Sequence, residues 1–266
     1  MLRDITLGQF YPIDSILHRL DPRVKIICTF IYMISVFLVR DVWGYLAATL
    51  FLAIMIIISK VPFKYMIRGL KGILMIMILT AVINVFTTPG KVLLSIGVID
   101  ITLEGIKVAV RMVLRLIFLV MGSSIMMLTT TPSRLTYGLE RIFKPLERFN
   151  LPVHEIAMMI SIALGFIPIL VDELDKIIKA QSVRGVDFNN RKLSVRIKNM
   201  IPVLVPLFVS AFRRAGDLAV AMEARCYHGG GKRTGINPLR YDRRDHIAYL
   251  VIFIYLSMII VIGIIF

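Results

Sequence analysis

Ile247 to Phe266 reads IAYLVIFIYLSMIIVIGIIF, a run without a single charged residue. A bilayer core of about 30 Å takes about 20 mostly apolar residues as α-helix, and this run supplies them. Four stretches upstream are of the same kind: Val24 to Val39, Val42 to Ser59, Ile73 to Phe86 and Val108 to Leu128, none containing an Asp or Glu. The third is short and can borrow from Gly69 onward. Together they predict an all-α polytopic membrane protein of about five transmembrane helices. Composition agrees: 58% of the 266 residues are hydrophobic and the mean hydropathy is +0.81, whereas a soluble domain is only about half apolar. Arg111 and Arg115, one turn apart in the fourth stretch, read as snorkelling to the interface, the alternative being that they face the protein interior.

Lys and Arg number 32 against 17 Asp and Glu, a net charge of +15, and this excess clusters beside the apolar runs as it does in cytoplasmic loops. That distribution argues against nucleic acid as the basic surface's partner and for the lipid bilayer. Lys60, Lys64, Arg68 and Lys71 have no acid among them, whereas Lys91 and Lys107 are balanced by Asp100 and Glu104. The positive-inside rule therefore predicts a multi-pass protein of the cell (plasma) membrane with its N-terminus and the long segment Thr129 to Asp245 in the cytoplasm. The expected division is a membrane part over 1–128, a cytoplasm-facing module over 129–245 and a last span over 246–266. Met1 to Arg23 has no apolar core of the signal-peptide kind, and Cys28 and Cys226, in an apolar run and a basic segment, imply no disulfide.

Between 129 and 245 the reading is less regular. Two uncharged apolar runs, Ile156 to Val171 and Met200 to Phe212, would place basic Arg184 to Lys198 outside the cell if both crossed. They are short and contain Pro168, Pro202 and Pro206, so the expectation is helices lying shallow or oblique at the cytoplasmic interface. Thr131-Pro132-Ser133 marks a helix start, followed by an amphipathic pattern from Leu135 to Phe149. Two longer helices then end alike, in Ala180-Gln181-Ser182-Val183-Arg184-Gly185 and Ala221-Met222-Glu223-Ala224-Arg225-Cys226. An Arg in a last turn meets the negative end of the helix dipole, and Gly185 suits a left-handed cap. Each end thus reads either as an ordinary terminus or as a guanidinium knob with small neighbours, suited to an acidic groove on a partner.

Catalytic chemistry finds no footing. His154-Glu155 lacks the second histidine of a zinc helix, and Gly229 to Thr234 lacks the first Gly and the Ser or Thr of a phosphate loop, with no strand before it. No nucleophile and base stand together, and Asp172, Glu173 and Asp175 read as a solvated turn balanced by Lys176 and Lys179. The expectation is a chain with no catalytic residues, no metal and no cofactor, which does not itself hydrolyse ATP.

The opening Tyr11-Pro12-Ile13-Asp14-Ser15, His18 to Lys25 and the two arginine-bearing helix ends resemble the transmembrane T component (EcfT/CbiQ-like) of energy-coupling factor (ECF) transporters across nearly the whole chain. The resemblance implies a non-catalytic subunit of an ABC-type importer of vitamins or other micronutrients. It would link two ABC-type ATPase subunits to a membrane-embedded substrate-binding S component. It further implies ATPase binding by Val183, Arg184, Gly185, Ala224, Arg225 and Cys226, with Gln181, Asp187, Phe188, Glu223 and Tyr227 fitting the pattern around them. Val183 stands where the first motif has Ala, Cys226 where the second has Gly, and Gly165 where relatives often have Arg. Cys226 would make a left-handed cap costlier than Gly does. The competing reading is a stand-alone polytopic carrier or membrane enzyme, which should bury acidic residues in its spans; the five stretches have none.

Overall fold

Asp21 opens the first long helix by accepting a hydrogen bond from the backbone N–H of Arg23 at 2.8 Å, and Pro22 takes the first helical position, where its missing N–H is no loss. The computed structural model describes residues 10–39, 41–96, 99–149, 151–188, 193–227 and 239–265. A single turn, α1 (Ile16–Arg19), precedes α2 (Pro22–Leu38), α3 (Val42–Ser59), α4 (Phe63–Thr87), α5 (Leu103–Thr129), α6 (Pro132–Phe143) and a 3₁₀ segment (Lys144–Phe149). The helices α7 (Val153–Val183), α8 (Leu193–Ala224) and α9 (Arg243–Ile265) complete the described order. The fold is all-α, with one small addition inside the expected 87–107 loop. There β1 (Val92–Ile96) and β2 (Ile99–Thr102) pair antiparallel, Ile96 opposite Ile99.

The chain divides into two compact units, one of residues 8–138 and 239–266 and one that includes 139–227. In the first, α2 packs on α5 and α9, and α3 on the same two helices. Its core holds Tyr32, Val36, Leu52, Phe118, Met121 and Ile259. The Phe51 and Tyr255 rings stack at 4.1 Å between centroids. Helix α5 comes close to α2 at Gly122, where an added Cβ would collide with the Tyr32 ring. Helix α4 buries only Met66 and exposes Leu74, Met75, Ile78, Val82 and Phe86, an apolar face suited to lipid or to a membrane partner.

The residues of the opening signature turn out to clamp the two ends of this unit together. Arg23 meets Asp21 through both Nε and Nη2, at 3.1 and 2.9 Å, donates to the Leu239 carbonyl at 3.3 Å and lies over the Tyr241 ring at 4.1 Å. Asp245, only 2% exposed, accepts from the Asp21 and Asp242 amides at 2.9 and 2.8 Å. Two buried carboxylates are tolerable here because every oxygen of Asp21 and Asp245 has a donor.

Four expectations change. Lys64, Arg68 and Lys71 lie inside α4, which begins ten residues before the apolar run at Ile73. Helices α7 and α8 are long, as their arginine ends led one to expect, but they run unbroken through Pro168, Pro202 and Pro206 over 31 and 32 residues, so the prolines do not interrupt them. Among the described residues, five helices are long and apolar enough to cross a membrane: α3, α4, α5, α7 and α9. The number matches the sequence reading but the membership does not, since α7 joins and α2 stops at 17 residues, about 25 Å of helix. Finally, Asp172, Glu173 and Asp175 are not a turn but lie within α7, and Glu173 pairs with Arg214 of α8 at 3.3 Å. Of the two arginines in α5, Arg111 is exposed, whereas Arg115 reaches the Val39 carbonyl at 3.5 Å and stands 5.4 Å from the Phe37 ring centre.

Candidate functional site

Helix ends leave their last carbonyls without partners unless the chain turns back on them. At the end of α7, Gly185 adopts φ +89°, its N–H donates to the Ser182 carbonyl at 3.0 Å, and the Val186 N–H donates to the Gln181 carbonyl at 3.1 Å. That pair of bonds is a Schellman cap, with Arg184 as the last residue before the left-handed position. At the end of α8, Cys226 adopts φ +55°, its N–H donates to the Glu223 carbonyl at 2.8 Å, and the Tyr227 N–H donates to the Met222 carbonyl at 3.0 Å. The two ends are the same motif, and each puts an arginine at the same place in it.

Val183, Arg184 and Gly185 are exposed together at the first tip, as are Ala224, Arg225 and Cys226 at the second. Val183 is 89% exposed, an unusual state for a valine that ends a helix. The two tips do not meet. Arg214 beside Glu173 and Gln181 beside Pro202 show that α7 and α8 run antiparallel. From Pro202, next to the first tip, to Arg225 is ~35 Å of helix at ~1.5 Å per residue. The tips therefore stand at opposite ends of a helix pair, and each needs its own partner surface.

Gln181 has a role that spacing alone could not reveal. Pro206 has no N–H to give the Pro202 carbonyl one turn earlier, and the Gln181 side-chain amide donates to that carbonyl at 3.2 Å. Asn199 likewise donates to the Asp187 carbonyl at 2.7 Å. The first tip is thus tied to the start of α8, while Pro206 supplies the open carbonyl that makes the tie possible. A side chain at Gly165 would meet nothing within 4 Å, so packing does not require glycine there. Gly229 to Thr234 lies outside the described residues. Among those described, no three His, Cys, Asp or Glu side chains gather as a metal site would require.

The sequence profile of the family described as cobalt transport protein (CbiQ) matches residues 14–236. A protein of Ruminiclostridium cellulolyticum named energy-coupling factor transporter transmembrane protein EcfT is 50% identical over 266 residues, 100% of both chains. Proteins of the same name from Clostridium kluyveri and Bacillus subtilis are 48% and 42% identical, covering 94% and 92% of this chain and 93% of each relative.

Proposed function

The chain belongs to the cobalt transport protein family and is the transmembrane energy-coupling component of an ECF-type transporter, and from that premise we propose how it couples. Arg184 and Arg225, with Val183, Gly185, Ala224 and Cys226 around them, each dock into an acidic groove on one of two ABC-type ATPase subunits. Residues 1–128 and 246–266 form the membrane part, and 129–245 the coupling module, facing the cytoplasm with the N-terminus. The chain hydrolyses nothing itself. ATP-driven closure of the ATPases displaces the tips, and α7 and α8 pass that displacement to a membrane-embedded substrate-binding S component, as rigid helices can and loops cannot. The stand-alone carrier or enzyme is not favoured.

The observation that supports this reading best is the repetition of one arginine-tipped cap at both ends of an antiparallel pair. A single partner would need one such tip; two related subunits call for two. The cytoplasmic placement of the first tip rests on the basic Arg184 to Lys198 connection, which would be costly to translocate, and that of the second on the positive-inside reading of 129–245 as a whole. The test is co-purification in detergent of the chain with its candidate ATPases, for wild type and for Arg184→Glu with Arg225→Glu. Wild type retains both ATPases and the double variant, inserted at the same level, retains neither. Equal retention by the two would remove the arginines from the docking role. Labelling of Val183→Cys from one side of sealed vesicles, in a chain whose Cys28 and Cys226 are replaced by Ser, tests the topology: it should react from the cytoplasmic side only.

A further inference from the structure

Between α2, α3, α5 and α9 of the membrane unit, with α1 at one end, lies an open-sided cavity of about 310 Å³. Leu17, Met55, Ile58, Ile125, Val251 and Ile252 make most of its wall apolar. The polar groups that reach it are largely engaged already. Lys25 Nζ donates to the His18 and Thr129 carbonyls at 3.2 and 2.9 Å, Thr129 Oγ1 to the Ile125 carbonyl at 2.8 Å and Tyr32 Oη to the Phe118 carbonyl at 3.4 Å. Ordered water needs two to four polar partners, so the slot suits hydrocarbon better than water. Its wall runs from Lys25 to Tyr32 along α2 and from Arg244 to Ile252 along α9, ~10 to 12 Å at ~1.5 Å per residue.

The slot has a charged end. Lys25 and Arg244 both line it from the first turns of their helices. The carboxylates nearby offset them only in part: Asp21 and Asp245 are buried and bonded to Arg23 and to backbone amides, and Asp242 lies 3.9 Å from Arg244 Nε with a side chain 69% exposed. The starts of α2 and α9 and the ends of α3 and α5 meet at this level, so their dipoles nearly cancel. The charged side chains that line the slot are Lys25 and Arg244, with no carboxylate among the lining residues, so the charge facing the slot is positive. Ile16 and Ile247, each more than half exposed, form apolar lips beside it.

We propose that this slot binds one anionic phospholipid of the surrounding leaflet, an acyl chain between α2, α3, α5 and α9 and its phosphate on Arg244, with Lys25 adding charge behind it. Three features select that occupant. The slot runs along the helices, as lipid chains do in a bilayer. Its cations lie at the helix ends, the depth of lipid phosphates, where basic pockets between spans hold anionic headgroups. And a slot of this volume is too small for a partner's helix, about 10 Å across with its side chains. The site is independent of ATPase docking, and the experiment below uses the isolated chain, so either reading can fail without the other.

The test is native mass spectrometry of the full chain released from vesicles of equal phosphatidylglycerol and phosphatidylcholine. Wild type should retain one phosphatidylglycerol in preference to phosphatidylcholine. Arg244→Gln should lower that preference about fivefold, the effect of one cation at a membrane surface. Ala248→Phe, which fills the slot without touching charge, should lower retention of both lipids. If that variant fails to insert, Ala248→Leu replaces it. Wild type without lipid, both variants retaining phosphatidylglycerol as wild type does, or a slot-filling variant that changes the chain's oligomeric mass instead of its lipid content would each overturn the proposal.

Discussion

The ends of α7 and α8 carry the same backbone on different residues. Both close with the two reverse hydrogen bonds of a Schellman cap, both carry an arginine just before the left-handed position, and both expose small neighbours. At α7 the left-handed residue is Gly185, which bears that conformation freely; at α8 it is Cys226, whose Cβ opposes it. The α7 end is also tied sideways through Gln181 and Asn199. The same cap thus recurs where glycine makes it easy and where cysteine makes it costly. A cap kept at a conformational expense is one whose geometry matters, and what the two ends share is where they put the guanidinium.

The strongest way to break this equivalence is to reverse one arginine at a time. Arg184→Glu and Arg225→Glu should each weaken one ATPase contact by ~2–5 kcal/mol, the range for losing one partner of a buried interfacial charge pair. Quantifying co-purified subunits would show one ATPase per chain in each single variant if the tips act independently. Loss of both from either variant would mean that the ATPases bind as a preformed pair, and the tips would then be halves of one site. Next in size is Gly185→Val. An added Cβ there meets no atom within 4 Å, so the whole effect is backbone strain, ~1–2 kcal/mol. Faster hydrogen exchange at Gly185 and Val186, with the α8 end unchanged, is the expected result.

Gln181→Leu comes third. It leaves the Pro202 carbonyl without its donor, a change of ~1 kcal/mol, at the low end because the bond is exposed and water can replace it. Faster exchange should appear at the first tip only. Exchange rising equally at both ends would show that α7 and α8 loosen as one body and that the tie serves the pair rather than the tip.

The difference between the ends also explains what was legible beforehand. Spans were readable because an uncharged run such as Ile247 to Phe266 has one stable solution in a bilayer. Gly185 announced a cap for the same kind of reason. The ends of α7 and α8 were legible, but their continuity through the prolines was not, because proline's local effect is visible in sequence while its remedy is not: the donor that satisfies the Pro202 carbonyl comes from Gln181 on another helix. The hairpin at 92–102 was missed because two short apolar strands inside a loop resemble loop. Asp21 and Arg23 could be recognised as part of a signature only by resemblance, and their tie to Asp245 was not foreseen, since the two halves of the clamp lie more than 200 residues apart in the chain. Separation of the two arginine tips had no local signal at all, because it depends on the antiparallel register of α7 and α8.

Cys226→Gly gives the smallest change and the sharpest comparison. If Cys226 holds φ +55° against its own preference, glycine should relieve that strain and stabilise the end of α8, partly offset by the greater freedom glycine has when the end is open. The net gain is under ~1 kcal/mol, read as slower exchange at Cys226 and Tyr227 whose N–H groups close the cap. ATPase retention should stay at the wild-type level, because Arg225 keeps its position. Should exchange instead quicken, the cysteine side chain stabilises the turn by a contact that outweighs the strain, and the second tip would be held by its side chain where the first is held by glycine's freedom. The two ends would then have reached one geometry by different means, and swapping residues between them, Gly185→Cys with Cys226→Gly, should fail at the first tip and leave the second no firmer.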